Sequence, residues 1–152
     1  MKLRIALIPL ILVATLAAVA QTANTISPSD TIEPADLVKM LPKSPVILNV
    51  GPRTIYLQAH IPTAEYVGMT YEPAGIQALR ERVKKLQKRT LIVLYCGCCP
   101  WERCPNLAPA LNEMHSLGFK NVKALHISQN FGADWVNKGY PIQTGQPAAS
   151  GQ

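Results

Sequence analysis

From residue 31 onward the apolar positions fall into two kinds of pattern. Leu91-Ile92-Val93-Leu94-Tyr95 is a compact apolar run bounded by Lys88-Arg89-Thr90, and Val46-Ile47-Leu48-Asn49-Val50 is a second, interrupted only by Asn49. Runs this short and this apolar suit central parallel strands buried on both faces. Thr31-Ile32, Glu65 to Met69 and Asn121 to Leu125 predict three further strands. Between these runs the apolar spacing changes to three and four. Leu37, Val38 and Leu41 share one face of a predicted helix over 33–41, with Pro34 tolerated at its first position and Pro42 ending it. Ile76, Leu79, Val83 and Leu86 mark a second helix over 73–86. Leu107, Leu111 and Met114 mark a third, with Asn106 as N-cap, Pro109 at a position whose N–H is not needed, and Gly118 as the stop. Ile55 to His60 predicts one or two helical turns, and Asp134 to Pro141 a short helix closed by Gly139. Strands alternating with helices predict an α/β three-layer domain, a mostly parallel central sheet flanked by helices. Function then belongs at the strands' C-terminal ends.

The N-terminus has a different character. Met1-Lys2-Leu3-Arg4 is a basic segment, Ile5 to Leu16 is apolar apart from Thr15, and Ala18-Val19-Ala20 offers the small residues that a signal peptidase reads. The apolar run is short for a membrane span. The expected organisation is a signal peptide over 1–20, a linker over 21–30, one domain over 31–143 and a disordered tail over 144–152. The expected location is periplasmic or secreted, with no stable membrane anchor after cleavage. Removing Lys2 and Arg4 lowers the net charge from +6 to +4, thirteen basic against nine acidic residues. Much of the surplus lies in 80–89, a run without interleaved aromatics that fits a solvated helix face better than a nucleic-acid site.

All four cysteines fall in Cys96-Gly97-Cys98-Cys99-Pro100-Trp101-Glu102-Arg103-Cys104. Clustered this closely they cannot staple distant elements, so they are not a disulfide framework. They follow a strand and precede a helix, where backbone N–H groups and the helix dipole favour an anion and lower a thiol pKa. A thiolate there is a nucleophile and a soft-metal ligand. Three kinds of chemistry fit: sulfur transfer, thiol redox through the Cys96/Cys99 spacing, and Cu or Zn handling by the cluster. Cys-x5-Arg phosphatase chemistry does not fit, because six residues separate Cys96 from Arg103 and four separate Cys98 from it.

Four landmarks in order resemble the rhodanese-like (sulfurtransferase) domain family over about 30–143. They are the strand end Leu48-Asn49-Val50; His60-Ile61-Pro62-Thr63-Ala64; Val93-Leu94-Tyr95-Cys96; and Gly118-Phe119-Lys120-Asn121-Val122 with Trp135 through Pro141. The resemblance implies a three-layer rhodanese-like fold and a sulfurtransferase of the thiosulfate type. Cys96 would carry a persulfide taken from a small-molecule donor such as thiosulfate. The sulfur would pass to a thiol acceptor, small molecule or protein, without a cofactor, resident metal or nucleic acid. Arg103 would hold the donor, Gly97 and Trp101 would shape the substrate loop, and Cys98, Cys99 or Cys104 would act as resolving or accessory thiols. The loop departs from the family pattern. An arginine is usual five positions after the cysteine, where Trp101 stands here, and Arg103 lies five after Cys98. The strand end therefore nominates Cys96 and the arginine spacing nominates Cys98. Asn49 and Gly51 also stand where the family usually has an aspartate and an arginine. A non-catalytic binding module on the same fold is the remaining alternative.

Overall fold

In the computed structural model, which describes residues 26–146, the predicted strands assemble into one sheet. They are Thr31–Ile32 (β1), Val46–Asn49 (β2), Glu65–Tyr66 (β3), Ile92–Tyr95 (β4) and Val122–Leu125 (β5), in the order β1-β5-β4-β2-β3 with every pairing parallel. The two most apolar runs are neighbours at its centre, Leu48 level with Leu94 and Asn49 with Tyr95. The helices are Pro34–Met40 (α1), Arg53–Gln58 (α2), Pro73–Val83 (α3), Leu107–Ser116 (α4) and Phe131–Asp134 (α5). This is the three-layer α/β arrangement that the sequence predicts.

The strand pleat divides the core into two halves. Leu48, Ile92 and Leu94 join Leu79 and Val83 of α3 and Leu111 and Met114 of α4. Ile47, Val93 and Tyr95 join Leu37 of α1, Tyr56 of α2 and the Phe131–Trp135 pair on the opposite face. Full burial of such a side chain is worth about 1.5–3 kcal/mol. The strand runs without polar alternation therefore report a sheet covered on both sides.

Boundaries shift where local chemistry intervenes. β3 is shorter than predicted: Val67 N–H still donates to Asn49 O at 3.0 Å, and Gly68 at φ 108° then turns the chain away. α3 stops at Val83, and Leu86 follows in a turn closed by its N–H on Val83 O. The helix predicted over 134–141 starts instead at Phe131, because the Asn130 side chain accepts the Ala133 N–H and caps it early. Trp135 breaks it, and a 3₁₀ turn, Val136–Lys138, runs on to Gly139 at φ 73°.

The signal peptide expected over 1–20 lies outside the described residues. Of the expected linker, Pro28–Asp30 forms a 3₁₀ turn capped by Ser27. Of the expected tail, Gly145 N–H donates to Leu57 O at 2.8 Å. Among the described residues no helix is long and apolar enough to cross a membrane.

Candidate active site

The cysteine loop leaves the C-terminal end of β4 at the middle of the sheet. Cys96 continues the pleat of Ile92 and Leu94, so its side chain enters the core half that holds α4, where the residue is 1% exposed. Gly51, just past the end of β2, lies against it. A Cβ on Gly51 would sit 2.9 Å from Cys96 Sγ and 2.7 Å from Cys96 O, so only glycine leaves room. From the other side Asn106 Nδ2 donates to Cys96 Sγ at 3.4 Å. Its Oδ1 accepts the Tyr71 N–H at 3.2 Å, which fixes the amide with its NH₂ end toward the sulfur.

Gly97 then reverses the chain with φ 75°, a conformation that glycine adopts without strain. Its carbonyl accepts the Phe131 N–H at 2.9 Å, and a Cβ here would meet Phe131 Cβ at 2.7 Å. The turn returns Cys98 to within 3.2 Å of Cys96, sulfur to sulfur. Cys99 Sγ is 3.3 Å from Cys98 Sγ, and its thiol also reaches Arg103 O at 3.8 Å. A 3₁₀ turn, Trp101–Arg103, brings Cys104 back into the core at 2% exposure.

These four sulfurs are electrostatically unequal. Cys96 is pushed up from the ordinary thiol range by its hydrogen bonds to Cys104 and Cys98 and then by burial, so it keeps its proton. Cys98 is pulled down to about 6, chiefly by the hydrogen bond from the Cys96 thiol, with burial opposing. Cys104 is pulled down to about 7, first by its hydrogen bond with Cys96, whose single proton it shares with Cys98, with burial opposing and the N–H groups of Asn106 and Leu107 assisting. Cys99 is pushed up to about 12, first by burial. These shifts favour negative charge on Cys98 with the proton held on Cys96.

A cavity of about 430 Å³ opens over Cys98. Gly97 and Cys98 form one wall, and Ile55 and Gln58 of α2 form another. Phe131 and Val136 close it from the C-terminal segment, and no lining residue is charged. Cys96 is not part of the lining. Arg103 is exposed and also outside it. Trp101 turns toward β5, where its ring meets His126 edge-on with centroids 5.0 Å apart. The structure thus gathers the four cysteines and Gly97 but puts Trp101 and Arg103 elsewhere.

His60 is fully buried as a turn organiser. Its Nδ1 pairs with Tyr56 O at 2.9 Å, its ring stacks on Tyr56, and its backbone bridges to Gln143. Asn106 stands at the N-cap position of α4, but its side chain makes no cap hydrogen bond and is committed to Cys96 and Tyr71 instead. Sequence reasoning missed that role, together with those of Gly51 and Phe131. The signals available were the glycine in place of a family arginine and an aromatic four residues before Trp135. Among the described residues no group of three or more His, Cys, Asp or Glu is disposed to hold a metal ion.

The rhodanese-like domain model matches residues 33–128. The chain belongs to the rhodanese-like domain family. A search of curated protein sequences finds no match. Among solved structures, the BH2092 protein of Bacillus halodurans is 24% identical, with 76% of this chain and 77% of that one covered and a TM-score of 0.58. The rhodanese-like domain of the Alr3790 protein from Anabaena sp. is 21% identical, with 81% and 88% covered and a TM-score of 0.55. An EanB variant carrying a cysteine persulfide, in a structure with ergothioneine, is 21% identical, with 75% and 28% covered and a TM-score of 0.58. At these identities the likeness concerns the fold.

Proposed function

We propose that this protein transfers sulfane sulfur through the thiols of the 96–104 loop, with Cys98 as the thiol that meets the donor. The Cys98 thiolate attacks the outer sulfur of the donor, forms a persulfide and releases the remainder of the donor as an anion. An acceptor thiol then takes the outer sulfur from Cys98. The observation that carries this reading is that Cys98 is the loop cysteine lining the cavity. Its pKa near 6 makes it a nucleophile at neutral pH. Cys96, expected from its strand position to carry the persulfide, supports Cys98 from behind by hydrogen bonding. The persulfide state of EanB, on a related fold, supports the chemistry by analogy.

The uncharged lining bears on the donor. Thiosulfate is a dianion, and with Arg103 outside the cavity its capture relies on uncharged donors, backbone N–H groups and the amides of Gln58 and Asn130. A neutral or singly charged organic persulfide is the better fit. The signal-like N-terminus supports a periplasmic or secreted location, where an electron supply must keep the thiols reduced.

Intact mass spectrometry of the reduced protein, before and after thiosulfate or an organic persulfide, tests the reading. The expected result is that one sulfur is taken up at Cys98, seen either as a gain of one sulfur that a thiol removes or as sulfide released from the loop. No gain and no sulfide with either donor would leave the domain as a thiol-redox or non-catalytic binding module.

A further inference from the structure

Cys96 is buried and outside the cavity lining, yet its sulfur lies 3.2 Å from Cys98 Sγ. We propose that Cys96 resolves the Cys98 persulfide internally, so that the protein reduces sulfane sulfur to sulfide without an external acceptor in the releasing step. This rests on the sulfur-transfer reading above. In the step, Cys96 sulfur attacks Cys98 Sγ, and the bond from Cys98 Sγ to the outer sulfur breaks. The outer sulfur of the ionised persulfide, Cys98–S–S⁻, leaves with the bonding electron pair and takes the Cys96 proton, departing as HS⁻. The two cysteine sulfurs are oxidised to a disulfide, and the sulfane sulfur is reduced to sulfide. A dithiol reductant then resets the pair by two exchange reactions and is itself oxidised.

Three features support Cys96 in this role. The first is distance: a disulfide needs its sulfurs about 2.05 Å apart, so the pair closes by a small movement across Gly97, which already holds the reversed turn at φ 75°. The second is the Asn106 NH₂ group, which donates to Cys96 Sγ and stabilises negative charge as the proton leaves. The third is exclusion of the competitor. Cys99 Sγ is equally near Cys98 at 3.3 Å, but a bond between adjacent cysteines would close a ring through one peptide unit that resists leaving its planar trans form.

The reduced full chain is treated with one equivalent of glutathione persulfide, desalted anaerobically, and followed with no thiol added. The expected result is release of one equivalent of sulfide and a protein two hydrogens lighter than the reduced form. Trypsin cuts after Arg89 and Arg103, so Cys104 falls on a separate peptide and fragmentation locates the bridge. A Cys96–Cys98 bridge is expected in the wild type. Cys96→Ser should retain the added sulfur on Cys98 and release no sulfide until a thiol is supplied. A wild-type Cys98 persulfide as durable as that of Cys96→Ser, or a bridge that omits Cys96, would overturn the inference and leave sulfur transfer standing. No sulfur gain and no sulfide from either protein would remove the sulfur-transfer reading and this inference with it. The wild-type peptide map decides the pairing even if the serine variant folds poorly.

Discussion

Strand β4 and the loop after it hold thiols two residues apart in opposite situations. Cys96 inherits its place from the sheet, because the alternation that buries Ile92 and Leu94 carries one residue further and buries it as well. Cys98 owes its place to one reversed turn at Gly97, which brings it back to the mouth of a cavity. A position set by the pleat is rigid and closed, whereas one set by a loop is reachable. The two nominations in the sequence, strand end for Cys96 and arginine spacing for Cys98, therefore point to two jobs. In the transfer proposed above one sulfur receives, and the other stands behind it as hydrogen-bond donor and reductant.

The most severe way to break this comparison is to remove each thiol in turn. Cys98→Ala is expected to reduce sulfur loading from an organic persulfide to background, by at least on the order of a hundredfold. Cys96→Ala should still load. Single-turnover mass measurements distinguish the two, and loss of loading in Cys96→Ala alone would reverse the roles.

Next in size is the effect of filling the space beside Cys96. Gly51→Ala would place a methyl 2.9 Å from Cys96 Sγ and 2.7 Å from its carbonyl oxygen, which is backbone and cannot swing aside. Overpacking of this kind costs about 1–3 kcal/mol, and thermal unfolding should show a fall of several degrees. Gly118→Ala is the control: its Cβ meets nothing within 4 Å, so it carries only the strain of φ 83°. A Gly51→Ala protein as stable as wild type would mean that the sheet does not hold Cys96 rigidly.

The sheet was legible in the sequence because its signals are local and redundant. Two short apolar runs without alternation suit strands covered on both faces, and Val46–Asn49 and Ile92–Tyr95 are neighbours in the sheet. The arrangement of the loop was not legible. Whether Cys96 or Cys98 faces the cavity depends on the sign of φ at Gly97 and on Phe131, which lies far along the chain and locks the Gly97 carbonyl. Asn106 reads as an N-cap by type and position, and a contact ten residues back in sequence takes its side chain instead. Gly51 reads as the loss of an ion pair until the sulfur that needs its space is seen beside it.

A smaller effect, on proton affinity, sharpens the comparison. Only the thiolate of Cys98 is nucleophilic, so alkylation at Cys98 should rise with pH through a midpoint near 6 and level off above it. The chief cause of that low value is the hydrogen bond from Cys96, and a donated bond to the charged form lowers a pKa. Cys96→Ala removes the donor, so the midpoint should move upward toward the ordinary thiol range and slow alkylation at pH 7. An unchanged midpoint would show that the two sulfurs do not share a proton.

The smallest effect concerns the residue that the family pattern weights most. Arg103 is exposed, lies outside the cavity lining, and follows Cys98 at the family spacing only because the loop is two residues longer than the pattern. An exposed side chain that touches neither donor nor thiol should change rates within about 0.5 kcal/mol, roughly twofold. Arg103→Ala is therefore expected to leave loading from an organic persulfide nearly unchanged and to leave thiosulfate the poorer donor. If the variant instead lost thiosulfate loading selectively, Arg103 would have to fold over the cavity when an anion arrives. The loop would then be the moving part that completes the site, with Cys96 as its fixed base.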